Sequence, residues 1–325
     1  MHSTFIFFKV FLVTLLLCMV VWVLIVFGEM GNPTKMSQWV YDAYKQKQKI
    51  STSIRKQKIV IVAGSNALFG INSKALEEAF GLSVLNDAVN AGIDLPCTLF
   101  MAEKVIRKGD IILLPLEYPM YSYEGKPGIQ MIDFLLAREP ECFWRLTWQE
   151  RFYLIWHVSL KRLWKGYSGY IDTPVNSGIY GAHHIDGYGD QTHTERTYRT
   201  ERMYNEVCKY DKHPESYGKR FDINALGWDY LEKFIRWCEL RHAKVIFMPS
   251  TLMWNAQYKN DPKEQWFYTH IAKEIRKRGW IYIGKPYNYM YDKSLYFNTN
   301  FHLIDSARKL RTEQMIKDLK EAQIL

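Results

Sequence analysis

The longest uninterrupted apolar run lies near the start of the chain. Phe5 to Phe27 reads FIFFKVFLVTLLLCMVVWVLIVF, and from Val10 onward nothing in it is more polar than Thr14 and Cys18. At about 1.5 Å per residue it covers roughly 34 Å, enough for a hydrocarbon core of about 30 Å. The pattern predicts a membrane-spanning helix at 5–27 behind a short segment at 1–4. A cleaved signal peptide would have an apolar core of about 7 to 15 residues followed by small residues, whereas Val-Phe-Gly-Glu-Met follows here. An anchor in membrane lipid is the expectation, and no other stretch in the sequence is apolar enough to span.

Residues 28–57 turn polar and basic, and YDAYKQKQKISTSIRKQK predicts a solvated helical stalk. From Lys58 the pattern alternates. KIVIVAGSN reads as a buried strand ending in a Gly-Ser turn, and Asn72 can cap the short helix SKALEEAF, which stops at Gly81. SVLN is a second strand, Thr98 to Lys108 a helix closed by Gly109, and DIILLPLEY a third strand apolar enough to be covered on both faces. Farther on come a helix from Asp222 to Ala243, the strand KVIFMPS, a helix from Asp261 to Arg278, the strand WIYIG and a last helix from Asp305 to Ala322. The fold class is therefore α/β: a five-stranded, mostly parallel sheet in a domain at 58–325, with ligands at the carboxyl ends of the strands.

Between about residues 119 and 220 this rhythm is interrupted by a large aromatic and polar insertion. Its segment TWQERFYLIWHVSLKRLWKGY sets Trp148, Phe152, Ile155, Ser159 and Leu163 along one helical stripe, with Lys161, Arg162 and Lys165 near its end. Ordinary packing of that stripe is the expectation; the alternative is a helix at a membrane interface or against an integral membrane partner.

Composition narrows the classes of function. With 48% apolar and 24% charged residues over 325 positions, the chain suits one folded, enzyme-sized unit. The net charge of +9 falls on the part outside the anchor, because Lys9 cancels Glu29, and it suits anionic headgroups or an anionic glycan. No nucleic-acid motif accompanies it, so nucleic acid is not an expected partner. The five cysteines show no CxxC spacing, which disfavours zinc clusters and thioredoxin-type chemistry. Neither GxxxxGK[ST] nor GxGxxG occurs, and no nucleotide cofactor is expected.

Ser65 stands where the first strand gives way to the first helix, a turn that lifts a side chain above the sheet edge. A serine hydroxyl needs a base, and His302, between the fifth strand and the last helix, is the candidate. Taken singly, the two read equally well as a turn serine and a satisfied loop histidine. A parallel sheet, however, brings both strand ends to one rim.

Three blocks carry a resemblance: VAGSNALFGI, LNDAVNAGI and YFNTNFHL. In order and spacing they resemble the SGNH hydrolase superfamily, in particular its membrane-anchored bacterial members involved in O-acylation of extracellular polysaccharide or cell wall. The resemblance implies a flavodoxin-like SGNH domain on the extracytoplasmic side that transfers an acyl group, acetyl foremost, to or from a glycan hydroxyl. It also implies an integral membrane O-acyltransferase as partner, and no cofactor. Ser65 would be the nucleophile and His302 the base, with the N–H groups of Ser65 and Gly92 and the side chain of Asn90 around the oxyanion.

The chain departs from the family in two places. The family has Asp three or four residues before the His, where this chain has Thr299 and Asn298, so Asn298 would orient His302 unless Asp94, Asp292 or Asp305 reaches it. The Asn-containing third block is replaced by LPLEYPM. The rival expectation is a catalytically silent scaffold or glycan-binding module on the same fold. Within the insertion, GAHHIDGYGDQTH crowds His183, His184, Asp186, Asp190 and His193, but the spacing matches no HExxH-type motif, and a loop without metal is expected.

Overall fold

The short apolar runs from Lys58 onward assemble into one sheet. The computed structural model describes residues 2–173 and 178–324. Strands β1 (Lys58–Ile61), β2 (Ser83–Asn86), β3 (Ile111–Leu114), β4 (Lys244–Phe247) and β6 (Ile281–Tyr282) pair in the order β2-β1-β3-β4-β6, all parallel. Two further short strands, β5 (Leu252–Met253) and β7 (Met290–Tyr291), pair with each other. Every residue of β1 and β3 is buried, as central parallel strands covered on both faces require. Strand order reverses between β1 and β3, which opens a crevice at the carboxyl ends of those two strands.

The chain enters through α1 (His2–Gly28) and α2 (Lys35–Ser53). Between β1 and β2 lie α3 (Ser65–Gly70) and α4 (Ser73–Phe80), and α5 (Asp94–Glu103) leads to β3. After β3 come α6 (Tyr118–Tyr121), α7 (Ile129–Arg138), α8 (Pro140–Phe143), α9 (Trp148–His157), α10 (Leu160–Tyr167) and α11 (Glu201–Lys212). Helix α12 (Leu226–Glu239) leads to β4, α13 (Gln257–Asn260) and α14 (Pro262–Lys277) to β6, and α15 (Asp305–Glu321) closes the chain. Local chemistry sets several ends. Asn72 accepts the Ala75 N–H at the start of α4, and Gly81 ends it with φ +67°. Asp261 accepts from Lys263 and Glu264 just ahead of Pro262. Helix α5 starts four residues before the expected Thr98, because Pro96 fits a first turn that needs no N–H there, and it ends at Glu103 rather than Lys108.

The chain divides into two compact units, Met1–Gln38 with Lys126–Thr173 and Trp39–Gly125 with Pro174–Leu325. The insertion is thus split: residues 126–173 belong with α1, and the stretches on either side of them with the sheet. In the first unit, α1 is long and apolar enough to cross a membrane, and its last turns are built into folded structure. The Trp22 indole donates to the Ile155 carbonyl at 2.8 Å, Tyr167 Oη donates to the Ile25 carbonyl at 2.9 Å, and the Phe27 ring meets Phe143 edge-on. Val26 and Glu29 are fully buried. Arg162 pairs with Glu29 through Nη1 and with Asp133 through Nε, and Asp133 also accepts from Thr34 Oγ1. Gly166 permits this approach, since a Cβ there would collide with the Glu29 carboxylate.

The stripe expected in α9 and α10 is not packed into the interior. Trp148, Phe152 and Ser159 are exposed, Ile155 is half-buried, and only Leu163 joins Leu154 and Val158 in the interior. The cause is a helix break: the chain leaves α9 at Val158, and Ser159 caps α10 by accepting the Arg162 N–H, so the periodicity is reset.

In the second unit, the expected solvated stalk is instead a packed helix. Val40, Ala43, Tyr44, Lys47 and Ser51 of α2 are buried. Lys47 Nζ donates to the carbonyls of Asn86, Ala88 and Gly189 at 2.6, 2.7 and 2.6 Å, using all three ammonium hydrogens. Burial draws Lys47 down to about 8 and pushes Asp87 up to about 8, each moderated by the other's charge. The three carbonyls favour the ammonium form.

Candidate active site at the carboxyl edge of the sheet

Ser65 is the first residue of α3, four residues past the end of β1, and is half-buried. The buried carboxylate of Glu117 brackets it, accepting the Gly64 N–H with Oε2 and the Asn66 N–H with Oε1, both at 2.9 Å. Ser65's own N–H, at the start of the helix, has no partner among the described residues. Asn66 is clamped in turn: its Nδ2 donates to the Pro115 carbonyl, and the fully buried Arg311 of α15 donates to its backbone oxygen and to Oδ1, each at 2.8 Å. Glu117 comes from LPLEYPM, the segment that lacks the expected asparagine. It escaped notice in the sequence because a lone glutamate after a buried strand reads as a surface residue.

His302 lies just before α15 with 4% of its surface exposed. Its ring stacks on Phe69 at 4.2 Å and 3°, and Phe69 sits one helical turn beyond Ser65 on the same face of α3. His302 Nδ1 is 2.7 Å from Asn298 Oδ1, and Asn298 Nδ2 donates to Tyr180 Oη at 2.9 Å. An amide oxygen only accepts, so Nδ1 carries the imidazole proton and Nε2 keeps its lone pair. Burial holds His302 far below the usual imidazole range, at about 3. Among the described residues Ser65 Oγ and His302 Nε2 make no hydrogen bond to each other.

Among the described residues no carboxylate bonds His302 in place of the aspartate that the resemblance implies. Asp292 caps the Ser294 N–H, Asp305 is paired with Arg308 and Lys309, and the His302 side chain bonds Asn298 rather than Asp94. Tyr180, which the sequence did not single out, supplies the next link by steadying Asn298.

Gly64 and the second block meet backbone to backbone. A Cβ on Gly64 would stand 2.6 Å from the Ala91 N and Cα, so only glycine lets this loop reach the nucleophile turn. The Gly92 N–H, expected to face an oxyanion, donates to Asn90 Oδ1 at 2.8 Å. The Gly92 N–H is therefore occupied, because Asn90 caps the tight turn at Ala91–Ile93 through Oδ1, and any other acceptor at that N–H would have to displace Asn90 Oδ1. Gly64→Ala should push this loop away and lower active-site labelling about 100-fold, with a loss of about 1–3 kcal/mol in stability. Labelling kinetics and thermal melting of that variant check both effects.

In the insertion loop, the His183, His184 and His193 rings lie in a row 4.0 and 4.4 Å apart, and His193 continues to Tyr198. Asp186 accepts the Tyr188 and Asp190 N–H groups, while Asp190 accepts from Ser73 N–H and Oγ and from Asn86 Nδ2. These aspartates shape the loop and tie it to α4 and β2. Among the described residues no group of three or more His, Cys, Asp or Glu side chains is arranged to hold a metal ion.

Comparison of the chain with protein-family models, with curated proteins and with solved structures returns no match.

Proposed function

We propose that the second unit is an SGNH-type acyl-ester enzyme that works in O-acylation, acetylation foremost, of an extracytoplasmic polysaccharide or cell-wall glycan. The observation that carries this reading is the placement of His302 over the Ser65 face of α3 in the tautomer that leaves Nε2 basic. The strand order supports it, since a flavodoxin-like sheet puts its ligand crevice beside β1, where Ser65 stands.

In this reading Ser65 Oγ attacks the acyl carbonyl and its proton passes to His302 Nε2. The tetrahedral oxyanion meets the Ser65 N–H, which the bracket made by Glu117 leaves open, and the Gly92 and Asn90 turn supplies further donors once it opens. Collapse returns the proton from Nε2 to the departing alcohol oxygen. The acyl-serine then passes its group to a glycan hydroxyl or to water. Helix α1 serves as the membrane anchor, and an integral membrane O-acyltransferase would bring the acyl group.

The weak basicity of His302 and the amide at position 298 favour a second reading, a silent scaffold that retains the fold without turnover. A fluorophosphonate probe separates the two. The enzyme reading expects stoichiometric phosphonylation of Ser65, absent in Ser65→Ala and slowed at least about 100-fold in His302→Gln. A folded wild-type chain that takes no label would establish the scaffold.

A further inference from the structure

A row of large apolar side chains on the first unit is left unexplained by the site. From Trp144 to Trp164 every fourth residue is large and apolar: Trp144, Trp148, Phe152, Trp156, Leu160 and Trp164. All six are exposed, from 39% at Trp156 to 79% at Trp164. Six exposed large apolar side chains within one short stretch of chain mark contact with a membrane or another protein.

Two observations point to the bilayer. Hydrogen bonds from Trp22 to the Ile155 carbonyl and from Tyr167 to the Ile25 carbonyl fix α9 and α10 against the last turns of α1. The bare part of α1, exposed along most of its length from Phe5 to Val21, then measures about 25 Å at 1.5 Å per residue, close to the thickness of a hydrocarbon core. Beside the row, Lys161 and Lys165 are exposed and have no ion-pair partner among the described residues. With His157, Met36 and Ile129 they line a cavity of 250 Å³.

We infer that α9 and α10 form a collar lying in the interface of the same bilayer that α1 enters, with the Trp, Phe and Leu row at the acyl boundary and Lys161 and Lys165 on anionic lipid phosphates. The mixture of tryptophans with flanking lysines suits that layer, where aromatic rings sit at headgroup level and lysine stems reach up to phosphate. The inference rests on α1 acting as the anchor. It goes further by making the folded unit a second, surface-lying membrane contact.

Nitroxide labels on Phe152→Cys and Trp164→Cys, in the full chain with Cys18 and Cys208 replaced by serine, test this in phosphatidylcholine vesicles with and without phosphatidylglycerol. A label on Leu12→Cys reports on α1 itself. The expected result is that oxygen reaches all three labels more readily than a water-soluble nickel complex does, with positions 152 and 164 about 5–10 Å below the phosphates. Nickel access at 152 and 164 with Leu12 protected would overturn the collar and leave the face to a partner protein. Nickel access at Leu12 would overturn the anchor and the collar together. Lys161→Gln and Lys165→Gln should each lower the preference for spin-labelled phosphatidylglycerol over phosphatidylcholine about fivefold, and an unchanged preference would overturn the anionic contact.

Discussion

Asn298→Asp is expected to raise esterase turnover at least tenfold and to move the acid limb of the pH profile upward. Asn298 holds the His302 ring in place through Oδ1, but an amide cannot offset the positive charge that the proposed transfer of the Ser65 proton would place on the ring. In serine proteases the reverse exchange costs about 10⁴ in kcat, roughly 5.5 kcal/mol. The site can accept the carboxylate, because Tyr180 Oη, which now accepts from Asn298 Nδ2, can turn to donate instead. The wild-type profile should stay flat on the acid side until His302 protonates near 3, and the variant's limb should lie higher.

Stability must follow the same group. The folded-state value of His302 lies below that of the unfolded chain, so its contribution is present above about 6.5 and is lost as pH falls toward 3, at about 1.4 kcal/mol per pH unit. Asn298→Asp should flatten that loss. Steady-state rates of the single variant and of its combination with Ser65→Ala, which should erase the gain, check the pairing. Unchanged turnover in Asn298→Asp would mean that Ser65 and His302 are not partners.

Lys47→Met should cost about 3–5 kcal/mol, which is about 10 °C in melting temperature for a unit of this size. Three buried carbonyls, those of Asn86, Ala88 and Gly189, lose their only shared donor, and each unsatisfied group costs about 1–3 kcal/mol. Asp87 also loses the nearest charge that opposes its upward shift. Thermal melting of the full chain in detergent reads the effect. A shift under about 2 °C would show that water replaces the ammonium there.

What the sequence made legible follows from what each residue does locally. The apolar runs KIVI, SVLN and IILL stand as β1, β2 and β3, because a run of β-branched and aliphatic residues can be buried only within a covered sheet. Asn72, Gly81 and Asp261 mark helix ends through bonds made within a few residues. Lys47 and Glu117 were illegible for the opposite reason. Their partners lie 39 or more residues away in the chain, and a charged residue in a polar or turn-rich segment gives no sign that it will be buried. Phe69, one turn past Ser65 on the same helix, stacks on His302, so the first and last blocks of the sequence pack against each other. That the Gly92 N–H is held by Asn90 Oδ1 is not legible either, because the acceptor is supplied by the same short turn that positions the donor.

The first unit also sets an order of events during synthesis. Glu29 and Trp22 each find their partner 133 residues later in the chain, in Arg162 and Ile155. At about 5–20 residues per second, roughly 7 to 27 s pass between the synthesis of the last turns of α1 and that of the segment that packs against them. Throughout that interval a carboxylate destined for full burial stands at the end of an apolar helix without its counter-charge, and the α/β strands β1, β2 and β3 are made meanwhile. Three strands of the sheet are therefore synthesised before the first unit can close, while β4, β6 and α15 are made only after its last segment, so the first unit can be complete before the sheet is.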